Sequence, residues 1–309
     1  ARVLPCARPV KNAHMTWLPA ALLSLVALLC ASGLGPQPLE AQEEPSVVTG
    51  EPPRMAEPPP TTPAGASAHP GDRLTVWVLT FTPGTHPFYK FGHNAILIRD
   101  PEKKNLQRDK VYNYGTFSFG DPALIPKFFV GRFMYWLSWQ SISSTLVAYR
   151  REGRGIDKQE LDLDGPTKLE LQRLLEENLK PENKHYKYDY YRDNCSTRVR
   201  DMLDKVLGGR IKQQTDRPGR LTYRQHTLRL TESLPPEYVI LHLVMGDLID
   251  KPTTVWDEGF IPMELQKQLR DITIVGPDGQ ERPLVKSEQT ILRAKHPAPP
   301  EAPPQTWFS

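Results

Sequence analysis

Proline is the residue whose distribution most restricts what this chain can fold into. Of its 32 prolines, ten lie in residues 36–70 and five in residues 297–304. Proline has no backbone N–H and fixes φ, and the Glu, Thr, Ala and Ser around it bury little apolar surface. We therefore expect disordered Pro-rich segments at residues 42–70 and 296–309, and one folded domain over residues 71–295.

The remaining composition excludes two classes of protein. The chain has 39 Lys and Arg against 36 Asp and Glu, a net charge of +3 in 309 residues. Such a balance predicts no nucleic-acid partner. The three cysteines, Cys6, Cys30 and Cys195, are too few for a disulfide scaffold and form no CxxC pair for zinc. We therefore expect neither a metal nor another cofactor.

The N-terminal segment has the pattern of an export signal. An apolar run of 14 residues extends from 18 to 31 without a charge, and Arg2, Arg8 and Lys11 precede it. Such a run is short for a membrane span and typical of the hydrophobic region of a signal peptide. We assign residues 1–41 to a signal peptide or, alternatively, to an uncleaved anchor. Either predicts a protein of the periplasm or cell envelope.

The periodicity of the folded domain indicates an α+β fold. Strand patterns cover residues 73–82, 93–99, 110–119, 133–140, 144–151 and 159–163, with a final hairpin over 272–285. Helix patterns cover residues 122–130, 167–179, 195–207, 237–248 and 262–269. Strands and helices do not alternate regularly, and the C-terminal part is helical, so the class is α+β rather than a parallel βαβ sheet.

Cys195 is the only cysteine left once residues 1–41 are removed. Asp193 or Asn194 is a natural N-cap, which places Cys195 in the first turn of a helix. Unpaired backbone N–H groups and the helix dipole favour a thiolate there, and Arg198 adds a positive charge on the same side. We predict that Cys195 is a nucleophile. The alternatives are a buried small hydrophobe and a metal ligand.

A thiol nucleophile needs a base that can also protonate the leaving group. His93 begins a predicted strand and follows Gly92, whose small size permits close backbone approach. At a strand mouth, an imidazole can face a helix N-terminus across a cleft. His86 and His185 are rivals, but each lies in a predicted loop that fixes its orientation less. We therefore predict His93 as the base.

Four motifs, FGHNAILI, VYNYGTFSF, YRDNCSTRVRD and GFIPMELQKQL, resemble the N-terminal periplasmic domain of the bacterial lipoprotein N-acyltransferase family Lnb. The resemblance extends over about residues 73–269. The order of His before Asn-Cys is also similar to permuted papain-like enzymes of the NlpC and lecithin:retinol acyltransferase groups. The resemblance implies a permuted papain-like (NlpC/LRAT-type) core with antiparallel strands and a helix that carries the nucleophile. It implies an acyl-enzyme formed on Cys195, with His93 as base.

Folds of this kind usually orient the histidine with a polar group from the next strand. Asn113 is our candidate for that third residue, and the alternative is that it is a polar residue on the solvent face. The backbone N–H of Cys195, helped by Asn194 or Tyr191, is a candidate oxyanion hole.

These features predict an exported cysteine-dependent acyltransferase or hydrolase acting on a phospholipid or lipoprotein acyl group, with contact to the membrane surface. The aromatic run over residues 128–139 is a candidate for lipid contact, although a core strand is the preferred interpretation. Transferases of the family are expected to carry membrane spans after this domain, and no apolar run of 18 residues follows Leu29, so the acyl acceptor is left open. The alternatives are a cell-wall amidase or peptidase using the same site, and a non-catalytic periplasmic binding domain.

Overall fold

The computed structural model describes residues 69–85, 89–117, 134–233 and 249–304. Their strands are β1 (Thr75–Phe81), β2 (His93–Arg99), β3 (Asp109–Thr116), β4 (Met134–Ser141), β5 (Ile156–Leu161), β6 (His185–Lys187), β7 (Thr273–Val275), β8 (Glu281–Pro283) and β9 (Val285–Leu292). Their α-helices are α1 (Ile142–Arg151), α2 (Gly165–Leu179), α3 (Cys195–Val206), α4 (Arg210–Thr215), α5 (Tyr223–Thr231), α6 (Val255–Glu258) and α7 (Pro262–Asp271). The signal segment 1–41, His86 and the predicted helices over 122–130 and 237–248 lie outside the described residues.

Seven of these strands form one sheet, in the order β6-β4-β3-β2-β1-β5-β9. Every neighbouring pair in it is antiparallel. The strands β7 and β8 form a separate two-stranded hairpin at the place where the sequence predicted one. The domain thus combines helices with an antiparallel sheet. The mixture of strands and helices agrees with the patterning, and the antiparallel strands agree with the resemblance.

Helices cover both faces of this sheet. On one face, Leu175 of α2, Leu203 of α3 and Leu269 of α7 pack with Val78 and Ile96 in the largest cluster of buried side chains. On the other face, α1 packs against a smaller cluster drawn from β1, β2 and β3. Alternate residues of β1 and β2 enter the two clusters, because successive side chains of a strand point to opposite faces. The strands β1 and β2 are therefore buried on both faces along most of their length.

The predicted strand over residues 144–151 is wrong, because these residues lie in α1. The Ser141 side chain caps the N-terminus of that helix. Ile142, Leu146 and Tyr149 then pack against the sheet, at a spacing that only a helix places on one face. The β-branched residues of the segment suggested a strand, but helical packing on the sheet outweighs their intrinsic preference.

The residues after His296 contact the domain, which the expectation of a disordered tail did not anticipate. Arg229 of α5 donates a hydrogen bond to the carbonyl oxygen of Pro300, over 2.9 Å. The ammonium of Lys267 in α7 lies 3.0 Å from both carboxylate oxygens of Glu301. Within the described ranges, no helix is both long and apolar enough to cross a membrane.

Candidate active site

Cys195 is the first residue of α3, and Asn194 caps that helix. The Asn194 Oδ1 accepts hydrogen bonds from the backbone N–H groups of Ser196 and Thr197, at 2.8 and 2.9 Å. The Thr197 hydroxyl accepts in return from the backbone N–H of Asn194, which completes a capping box. Cys195 therefore lies in the first turn of a helix, as predicted, and the capping box fixes the start of that helix.

Ser196 ties the start of α3 to the sheet. Its hydroxyl lies 2.9 Å from Asn94 Oδ1 in β2 and 2.7 Å from the carbonyl oxygen of Gly259. The Asn94 amide in turn donates to Thr80 Oγ1 in β1, over 2.9 Å. All of these groups are buried, where unpaired polar atoms would be costly. The chain thus holds Cys195 against the beginning of β2, the strand whose first residue is His93.

The thiol of Cys195 is partly buried, and burial raises its pKa above the ordinary value. The backbone N–H groups of Asn94, Ser196 and Cys195 favour the thiolate and lower the pKa, as does the charge of Arg154. The loss of hydration on burial is the largest of these effects on the pKa, and it disfavours the charged thiolate. The resting group is therefore a neutral thiol, and the thiolate expected from the helix dipole does not form at rest.

Arg198 does not serve the thiol as the sequence suggested. Its guanidinium forms a bidentate pair with the carboxylate of Asp193, with Nη2 and Oδ2 2.7 Å apart. It also lies over the ring of Tyr186, 4.2 Å from the ring centre. The positive charge of Arg198 is therefore paired with a carboxylate five residues earlier in the chain.

His93 begins β2, as predicted, and its side chain reaches Asn113 in β3. The distance between His93 Nε2 and Asn113 Oδ1 is 3.3 Å. Asn113 is 9% exposed, and its Nδ2 donates to the carbonyl oxygen of Val111 over 3.2 Å. That second bond fixes which end of the amide faces the imidazole. The third residue proposed from the sequence is therefore in contact with the proposed base.

The imidazole of His93 is neutral at neutral pH. Burial, followed by the positive charge of Arg154, lowers its pKa to about 4, and the bond to Asn113 only partly opposes this. Since Asn113 Oδ1 can only accept, the proton of the neutral ring lies on Nε2. The Nδ1 atom consequently carries the lone pair that can take a proton.

Acylation of Cys195 by a neutral ester is therefore expected to depend on pH with a low inflection. Only unprotonated His93 accepts the thiol proton, so the rate stays level toward acid and falls as pH drops through about 4. An ordinary exposed histidine would give an inflection near ~6.5. The measurement is the rate of acylation between neutrality and acid, with circular dichroism confirming the fold at each pH. A half-maximal rate near ~6.5 would contradict the burial of the base.

Gly115 lets α3 approach β3 closely. Its φ is +89°, and the register of β3 on β4 shifts between Asn113 and Thr116. A Cβ at this position would lie 3.3 Å from Cys195 Cβ. A side chain would therefore crowd the nucleophile from the sheet side, and glycine avoids both the contact and the backbone strain. A glycine inside a strand pattern is the sequence signal for such a close approach.

Arg154 is a second residue that the sequence analysis missed. It is 3% exposed, its Nε donates to the carbonyl oxygen of Thr82 over 2.8 Å, and its guanidinium lies over the rings of Tyr89 and Tyr149. Its charge lowers the pKa of both His93 and Cys195. No motif distinguishes this arginine from the exposed arginines that precede it in the chain.

The two side chains proposed to help an oxyanion hole are already engaged. Asn194 Oδ1 accepts the two cap bonds, and its Nδ2 donates to the carbonyl oxygens of Tyr190 and Phe260, both at 2.9 Å. The Tyr191 hydroxyl hydrogen-bonds to Thr227 Oγ1 over 3.1 Å.

The rival base His185 is exposed on the edge strand β6. In the described part of the chain, no group of three or more His, Cys, Asp or Glu side chains is placed to hold a metal ion.

Fold and site together define a domain of helices packed on an antiparallel sheet. A thiol at a helix N-terminus contacts the strand that His93 begins, and His93 contacts Asn113 of the next strand. The family model for the Lnb N-terminal periplasmic domain matches residues 64–231, more than half of the chain. The chain therefore belongs to that family, as its motifs indicated, and Cys195, His93 and Asn113 all lie within the match. The family description is that of a periplasmic domain. Searches among curated proteins and among solved structures found no match.

Proposed function

We propose that this domain is an exported thiol enzyme that transfers or hydrolyses acyl groups, built on a permuted papain-like core in which α3 carries the nucleophile. The observation that carries the proposal is the contact between His93 Nε2 and Asn113 Oδ1, 3.3 Å apart. These residues lie on β2 and β3, the two strands that both contact Cys195. Cysteine, histidine and asparagine are the set that papain-like proteases use for acyl transfer.

The reaction follows from the resting protonation states. His93 Nδ1 takes the thiol proton while Sγ adds to the acyl carbonyl carbon, and the carbonyl oxygen becomes an oxyanion. When this intermediate collapses, the bond to the leaving group breaks, and the leaving group takes the proton from His93. A thioester on Cys195 results. An amine or water then attacks the thioester in the same way and regenerates the thiol, so the cycle consumes only the acyl donor and the acceptor.

A phospholipid or lipoprotein acyl group is the proposed donor. Membership of a periplasmic domain family supports a site outside the cytoplasm. The apolar run over residues 18–31, with basic residues before it, supports export through a signal peptide or anchor. A lipid substrate would bring the domain to a membrane surface.

Intact mass spectrometry tests this function. The protein is incubated with phospholipid vesicles and, separately, with muropeptides, then quenched in acid. We expect vesicles to add one fatty acyl group, located on Cys195 by peptide mapping, or to yield free fatty acid. Both products should be absent from Cys195→Ser, the matched control, because a serine hydroxyl has no comparable nucleophilicity beside this base.

Two results would contradict the proposal. An adduct formed only with muropeptides would indicate a cell-wall amidase or peptidase on the same residues. If neither substrate reacts and a small thiol reagent modifies native Cys195 only slowly, the domain is a non-catalytic binding domain.

A further inference from the structure

Tyr186 is a buried residue that has no role in the reaction proposed above. It lies on the three-residue strand β6, opposite Tyr135 of β4, and is 7% exposed. Its ring centre is 6.4 Å from that of Tyr114, and the Arg198 guanidinium covers one face. Packing on several sides fixes the ring, so the position of the hydroxyl is well defined.

The Tyr186 hydroxyl is buried and forms no hydrogen bond with any residue that the structure describes. Removing a hydroxyl from water without giving it a new hydrogen-bond partner lowers stability. Most buried polar atoms avoid that cost, and those that do not often have a task. By contrast, the nearby Tyr114 hydroxyl accepts a hydrogen bond from Asn178 Nδ2, over 2.8 Å.

The Tyr186 hydroxyl and Cys195 both lie close to Gly115. The position that a Cβ of Gly115 would take is 3.8 Å from Tyr186 Oη and 3.3 Å from Cys195 Cβ. Apart from the immediate chain neighbours of Gly115, no other atom lies within 4 Å of that point. The nucleophilic residue and an O–H donor without a partner therefore approach the same point beside Gly115.

We propose that the Tyr186 hydroxyl is an oxyanion donor of this active site, a role that rests on the proposed acyl-transfer function. As Sγ adds to the carbonyl carbon, the C=O electron pair moves onto the oxygen, and Tyr186 donates a hydrogen bond to it without giving up its proton. When the pair returns, the bond to the leaving group breaks. The backbone N–H of Cys195 stands at the same helix N-terminus to supply a second donor.

The surroundings of Tyr186 suit a donor that stays protonated. Burial raises its pKa well above the usual value, and a negative charge on Cys195 raises it further. The phenol is therefore neutral whenever the enzyme is folded and active.

Two reactions of Cys195 separate this role from a structural one. Acylation by a p-nitrophenyl ester passes through an oxyanion, whereas alkylation by iodoacetamide does not. We expect Tyr186→Phe to slow acylation by about 10²–10³-fold, as loss of one oxyanion donor does elsewhere. Alkylation should proceed at the wild-type rate. Thermal unfolding confirms that the variant folds, which is expected because phenylalanine keeps the ring and removes only an unpartnered oxygen.

Tyr114→Phe is the matched control. It also removes one buried phenol oxygen beside Gly115, but that oxygen already has a partner in Asn178. We expect it to lower stability and to leave the acylation rate unchanged. The assignment is overturned if Tyr186→Phe is acylated at the wild-type rate, or if acylation and alkylation slow equally. A wild-type protein that is alkylated and never acylated would defeat the proposed function, and the oxyanion role with it.

Discussion

Replacing His93 with alanine is expected to slow acylation of Cys195 by about 10²–10⁴-fold, the usual contribution of a positioned general base. Burial raises the pKa of the thiol and lowers that of the imidazole, so the pair rests in the neutral form. Without a thiolate at rest, a base must remove the proton during attack. The measurement is the burst of p-nitrophenol from a p-nitrophenyl ester, in which one equivalent is released per acylated thiol.

His185→Ala is the matched control for this prediction. His185 is the rival base from the sequence, and it is exposed on β6 at the edge of the sheet. Its replacement should leave the burst rate as it is in the wild type. If His93→Ala retains the wild-type rate, another group activates Cys195, and the contact with Asn113 has only a structural role.

Placing alanine at Gly115 is expected to cost both stability and activity. A φ of +89° disfavours an L-residue by about 1–2 kcal/mol. The new Cβ, 3.3 Å from Cys195 Cβ, also pushes on the first turn of α3. Because a shift of about 1 Å in a catalytic group can cost about 10²-fold, we expect a loss of that order in the acylation rate. Urea unfolding and the p-nitrophenol burst measure the two effects separately.

Gly279→Ala isolates the backbone contribution. Gly279 has a φ of +76°, and a Cβ there would have no atom within 4 Å. The control should lose stability by a similar amount and keep the wild-type burst rate. A Gly115→Ala variant that is destabilised but fully active would show that close approach of α3 to β3 is not needed for acylation.

The positions of the three proposed site residues could be predicted from the sequence for local reasons. Asn194 before Cys195 is an N-cap signal that depends only on neighbouring residues. His93 and Asn113 lie on consecutive strands joined by a short connection, so their strands pair side by side. The contact between His93 and Asn113 was expected from the resemblance, because folds of that kind orient the histidine with a polar group from the next strand.

The protonation state of the site could not be predicted in this way. The helix dipole and Arg198 suggested a thiolate, because both are visible in the sequence. Desolvation, which reverses the expected direction of the pKa shift, depends on packing of distant segments around Cys195. The ion pair between Arg198 and Asp193 joins residues close in sequence. Several acidic residues lie near Arg198 in the sequence, however, so its partner could not be predicted.

The positions of Tyr186 and Arg154 were also beyond a reading of the sequence. Tyr186 belongs to a strand of three residues, too short to produce a pattern, and it reaches the site only because β6 pairs with β4. Arg154 lies three residues after the end of α1, and the sequence suggested a strand over most of that helix. Because residues 144–151 were predicted as a strand, the position of Arg154 after that segment could not be predicted either.

The folding unit is larger than the family match. The match ends at residue 231, yet the start of α3 is anchored on the carbonyl oxygens of Gly259 and Phe260. The helix α7 fills the core face, and β9 pairs along β5. A protein truncated at the end of the match would expose the hydrogen-bonding edge of β5, and such an edge recruits other chains. Boundaries for a soluble fragment of this domain should therefore be drawn beyond β9.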